Sequence, residues 1–162
     1  MVTPMVDKRK NARPRSDGGS LIRNSLIAST IRRSQRNLSN GVLHRKTVER
    51  MRAEGRSERE IYDAGIKEGQ VGPASNLADV LYNIYRSGLG RAVVVEESNK
   101  HVLLKVDKCL CKENPDNMGC SYIAGYLAGA LMRTGKYRTL EVRKSNAGTV
   151  ADGCYFLANL NI

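Results

Sequence analysis

The sequence predicts an α+β protein in which an antiparallel sheet packs on helices that lie mostly on one side of it. Three observations lead there. Apolar residues recur at helical spacing through residues 20–88, and the period then changes to two β-branched runs, Ala92 to Glu96 and His101 to Val106. A glycine-containing helical stretch follows, and two further extended runs close the chain. The order is helices, hairpin, helix, hairpin.

Each element has its own signals. Residues 1–19 carry Pro4, Pro14 and Gly18-Gly19 among charges and read as a mobile basic arm. Ser20 is an N-cap for a helix over 20–36, on which Ile22, Leu26, Ile27 and Ile31 form the apolar stripe. Asn40-Gly41 is a stop signal, after which "VLHRKTVERMRAEG" predicts a second helix ending at Gly55. Ser57 and Glu60 have the spacing of a capping box and open a third helix. "SNLADVLYNIYRSGLG" predicts a fourth, with Leu77, Val80, Leu81 and Ile84 buried and Gly88 at its C-terminal cap. The two β-branched runs, separated by the polar "ESNK", read as a hairpin. "SYIAGYLAGALMRTG" predicts a helix whose Gly125 and Gly129, four apart, let another backbone or a sheet come close. "RTLEVRK" and "CYFLANLNI" are two more strands, joined by a turn around Ala147-Gly148. The boundaries are an arm over 1–19, N-terminal helices over 20–56 and a main domain over 57–162.

Composition narrows the class of function. A chain of 162 residues normally makes one domain with a working core, and with no Trp and a single Phe, Phe156, that core must be aliphatic and Tyr-rich. No apolar run spans a bilayer, and the N-terminus has no apolar segment of a secretory signal, so the expected setting is a reducing cytoplasm. The net charge of +11 is an N-terminal property: residues 1–60 hold fifteen Lys/Arg against six Asp/Glu. A nucleic-acid-binding arm and helices with solvated basic faces both account for it. No aromatic residue precedes Tyr62 to stack on bases, which favours solvated faces.

The four cysteines, Cys109, Cys111, Cys120 and Cys154, are the candidate chemistry. Cys109 and Cys111 leave the same face of a strand end, which disfavours a disulfide between them. Cys120 falls at a helix start, where the dipole favours a thiolate. Cys154 opens the last strand. Gathered together the four would make a zinc centre, but their spacing is not that of paired CxxC knuckles, and small buried thiols are an equal reading. A nucleophilic role is disfavoured, because the only histidines are His44 and His101, and His101 reads as a surface strand residue.

From about Ser57 onward, "IYDAGIKEGQ", the hairpin, "CLC", "GCSYIAGYLAGAL" and the closing "CYF" resemble the 4-vinyl-reductase domain family, including small stand-alone hydrocarbon-binding members. The resemblance implies the α+β fold of the haem nitric-oxide-binding and vesicle-tethering-subunit superfamily and a homodimer. It implies a small-molecule-binding module more than a reductase. In the aromatic sensors of that family zinc is held at positions that fall here on Cys120, Glu141, Lys144 and Cys154. A charged lysine cannot replace a thiolate, so Cys109 or Cys111 would have to complete the set.

In such a fold the space between the Cys120 helix and the sheet is the natural cavity. Its expected lining is Ile123, Tyr126, Leu127, Ala130, Leu131 and Phe156, with Val93, Val95 and Leu103 in some combination; a filled core is the competing reading. No nucleotide cofactor is expected, because "GLGRAV" precedes a strand instead of opening a helix. The expected function is therefore binding or sensing of a small apolar or aromatic molecule, with zinc as the metal. A reductase or reductase subunit of tetrapyrrole-type metabolism is the second reading, and a nucleic-acid-associated regulator using the basic segment is the third.

Overall fold

The computed structural model describes residues 18–110, 118–137, 139–145 and 153–161. Its elements are α1 (Gly18–Ala53), α2 (Glu58–Gly69), α3 (Leu77–Arg86), β1 (Arg91–Glu97), β2 (His101–Asp107), α4 (Met118–Arg133), β3 (Thr139–Ser145) and β4 (Gly153–Asn161). Met1–Arg33 forms one unit and Ser34–Ile162 another. The second unit holds the C-terminal part of α1, all the later helices and the sheet. The initial arm and the Ala147-Gly148 turn lie outside the described residues.

The expected stop at Asn40-Gly41 is not a stop, since α1 continues through it to Ala53. The reason is tertiary. A Cβ on Gly41 would stand 2.7 Å from the Gly88 carbonyl oxygen, and Asn40 Nδ2 donates to the Arg86 carbonyl at 3.3 Å. The dipeptide that signals a turn in isolation serves here as the contact between α1 and the end of α3. The Ser57 capping box forms as expected, with Ser57 N–H donating to Glu60 Oε2 at 2.8 Å and Glu60 N–H donating to Ser57 Oγ at 3.3 Å. Gly88, at φ 71°, follows α3 as expected. Leu89 N–H donates to Ile84 O and Gly88 N–H to Tyr85 O, the paired bonds of a Schellman cap.

The sheet has four strands in the order β1-β2-β4-β3, every neighbouring pair antiparallel. The two hairpins join through β2 and β4. Val102, Leu104 and Val106 of β2, Cys154, Phe156 and Ala158 of β4 and Val142 of β3 are buried at alternate positions. β1 departs from expectation: it is an edge strand on which only Ala92 is buried, and Val93, Val94 and Val95 are exposed. Val93 and Val95 therefore line no interior cavity, because neither face of the strand is covered past Ala92.

α4 is buried at every position from Tyr122 to Leu131, as expected of a helix that is apolar all round. One side of its burial comes from α2 through a reciprocal glycine contact. A Cβ on Gly125 or Gly129 of α4 would overlap the carbonyl oxygen of Tyr62 or Ile66 of α2, and one on Gly65 or Gly69 of α2 would overlap that of Tyr122 or Tyr126. Arg133 Nη1 at the end of α4 donates to the carbonyl of Gln70, the C-cap residue of α2.

Candidate metal centre

Three segments distant in sequence bring their sulfurs together. Cys109 follows β2, Cys120 lies in the first turn of α4 and Cys154 is the second residue of β4, where it pairs in register with Val106. Their Sγ atoms all lie within 4.8 Å of one another, and Cys120 Sγ is 3.9 Å from Cys154 Sγ. Each residue is 9% exposed or less. Cys109 and Cys120 are disulfide-bonded in this structure, and Cys154 lies beside them outside that bond. The sequence favours free thiols or a metal over a disulfide, and Cys109 and Cys120 depart from that expectation.

The cluster fits a metal by donor type and by spacing. Thiolates are preferred ligands of zinc, and tetrahedral bonds of about 2.3 Å place neighbouring sulfurs about 3.8 Å apart. The Cys120–Cys154 separation matches that edge. Thiolate ligation needs Cys109 and Cys120 reduced, so a metal-bound form and a disulfide form exclude each other. Once reduced, Cys120 would gain from its place in the first turn of α4, at the positive end of the helix dipole.

Not every expected ligand is gathered. Cys111 lies outside the described residues. Glu141 pairs with Asn159, five residues along β4 from Cys154, about 17 Å at the rise of a strand. The backbone does not bring Glu141 to the sulfurs. Lys144 pairs with Phe156, nearer the cluster. Of the expected cavity lining, Ile123, Tyr126, Leu127, Leu131 and Phe156 are all buried within one continuous apolar core.

A buried polar network next to that core carries no sequence signal. His44 on α1 is 7% exposed, and its Nδ1 is hydrogen-bonded to the Tyr122 hydroxyl at 2.8 Å. Its ring lies edge-on to Tyr126, whose hydroxyl is hydrogen-bonded to Ser87 Oγ at 2.9 Å. Burial lowers the His44 pKa, partly opposed by the charge of Glu68, and burial raises those of both tyrosines. The network is thus neutral near pH 7. His101, by contrast, is a surface partner of Glu96, its Nε2 lying 2.9 Å from Glu96 Oε1.

No family model matches the sequence, and no curated protein does. Among solved structures the chain is similar to the phenol-responsive sensory domain of the transcription activator PoxR with phenol, at 17% identity and a TM-score of 0.44, over 76% of this chain and 74% of that one. It is also similar to a trafficking protein particle complex subunit 3 from Naegleria fowleri covalently bound to palmitic acid, at 14% identity and a TM-score of 0.38, over 89% and 90% of the two chains. At that distance neither likeness speaks to what this chain binds. The α+β class rests on the helices and strand order described above. Among the described residues no helix is long and apolar enough to cross a membrane.

Proposed function

We propose that the chain is a non-catalytic, cytoplasmic domain of the 4-vinyl-reductase kind that binds or senses a small apolar molecule, and that its cysteine cluster holds a structural zinc ion when reduced. The observation that carries the metal half is the convergence of three buried sulfurs from the end of β2, the start of α4 and the start of β4 within 4.8 Å. Three segments so far apart in the chain gain most from a shared ion, because a structural metal's binding energy is folding energy. The binding half is supported by the resemblance in "GCSYIAGYLAGAL". The reductase reading needs a hydride or electron donor, and a bound redox cofactor in purified protein would favour it.

Elemental analysis of protein purified under reducing conditions without chelator tests the metal half. The expected result is about one zinc per chain, lost in Cys120→Ser and Cys154→Ser. Metal-free protein of full stability overturns it. Thermal melting against a panel of phenols, fatty acids and tetrapyrroles tests the other half, since preferential binding to the folded state raises the melting temperature. A flat response across the panel overturns that reading.

A further inference from the structure

A cleft of about 640 Å³ opens between α1, the end of α3 and the two ends of the first hairpin, and it contains none of the cysteines or of the five core residues expected to line a cavity. Its size is that of a small-molecule site. Arg45 of α1, Arg91 at the start of β1 and Lys108 after β2 bring three positive charges to it from three elements. Among the described residues its lining holds one carboxylate, Asp107, whose Oδ1 lies 3.0 Å from Lys105 Nζ.

Two further features set the cleft apart from a solvated basic face. Gly41, Gly88 and Gly90 are among its lining residues, and none of them puts a side chain into it. At Gly90, with φ 135°, a Cβ would stand 2.6 Å from Val106 Cγ1 and 2.7 Å from the Asp107 carbonyl oxygen. Lys108 has φ 54°, the only positive φ at a non-glycine residue among those described. Glycine would adopt that conformation without steric cost, and lysine adopts it only against one. Holding a long cationic side chain at such a position makes sense where the charge is used. Val42 and Tyr85, about half exposed at 50% and 47%, add an apolar flank.

We infer that this cleft binds a small organic oxyanion, a carboxylate attached to an apolar or aromatic body. The guanidinium groups of Arg45 and Arg91 suit the planar oxygens, Lys108 supplies a point charge, and Tyr85 and Val42 take the body. The site shares no residue with the cysteine cluster or with the expected lining of the core.

Calorimetric titration of the full chain with benzoate, inorganic phosphate and phenol separates the contributions, because these probes carry ring and charge, charge alone, and ring alone. Benzoate is expected to bind saturably and more weakly as salt rises, and to bind more tightly than either other probe. Arg45→Gln and Arg91→Gln should each weaken benzoate about tenfold, the scale of one charge-assisted hydrogen bond, with melting temperatures kept as a check on folding. Lys108→Gly should weaken binding while leaving the melting temperature unchanged or higher, since it removes the left-handed lysine. Benzoate affinity unaltered in all three variants overturns the inference, as does phosphate binding as tightly as benzoate. Absence of benzoate binding also overturns it, whatever the zinc content of the same preparation.

Discussion

Replacing Gly125 by Ala sets two effects of opposite sign against each other at one atom. Alanine is the better helix former by about 1 kcal/mol in a helix interior, so on local grounds the variant should be more stable. The added Cβ, however, would overlap the Tyr62 carbonyl oxygen and lie 2.9 Å from its carbon and 3.1 Å from Ile66 N. All three atoms belong to the α2 backbone, so no rotamer change relieves the contact, and the two helices must separate. Overpacking of this kind costs about 1–3 kcal/mol. Here the upper end applies, because moving α2 away also opens the reciprocal contacts at Gly65, Gly69 and Gly129. The net expectation is a loss of about 1–2 kcal/mol, or about 2–8 °C in melting temperature for a chain of this size. Urea and thermal unfolding measure it. Adding Gly129→Ala to Gly125→Ala should cost less than the sum of the single changes, since helices already separated meet the second methyl more easily. A Gly125→Ala protein that melts above the wild type would refute the close-contact reasoning and show that helix propensity outweighs the steric cost.

Two other expectations concern charge and assembly. His44 is held neutral by burial, so the unfolded chain takes up its proton first as pH falls below about 6.5, and stability should decline from there until the folded-state pKa is reached. The slope in that window approaches about 1.4 kcal/mol per pH unit, and His44→Gln should flatten the dependence of melting temperature on pH between 7 and 5; an unchanged slope would show that other groups set it. The homodimer implied by the resemblance is a further prediction, for which the exposed Leu43 on α1 and the open edge strand β1 are the candidate faces. Light scattering should then return twice 17.9 kDa, and a monomer at micromolar concentration counts against it.

Local signals in the sequence carried far, and pairings between segments did not. The capping box at Ser57, the C-terminal glycine at Gly88 and the period change near Ala92 are written within a few neighbouring residues, and each appears in the structure where those residues put it. Gly125 and Gly129 announced a close approach, and Gly65 and Gly69 in "AGIKEGQ" carry the same four-residue spacing, but neither pair by itself names the other as its partner. Asn40-Gly41 misled for the same reason: its turn signal is local, while the Gly88 carbonyl that it accommodates is distant in sequence. The site follows the same division. Cys109, Cys120 and Cys154 stand out by residue type, but the 78 residues separating His44 from Tyr122 hide that pair from any spacing argument. Glu141 rests on resemblance alone, and the register of β3 on β4 carries it along the sheet away from the sulfurs.

The short stretch after β2 links the two sites. Lys108 and Leu110 line the cleft, and Cys109 between them belongs to the sulfur cluster. A left-handed lysine does not hold itself in place. On one side β2 fixes it through the pairing of Asp107 with Gly153 and Arg91, and on the other Cys109 and Leu110 are anchored by burial. Whatever ties the Cys109 sulfur, a disulfide or an ion, therefore also restrains the backbone that presents Lys108. By linkage the dependence runs both ways: an anion that favours the left-handed Lys108 favours the buried position of Cys109 to the same extent. The coupling needs no path through the protein, because a single peptide bond separates the two residues.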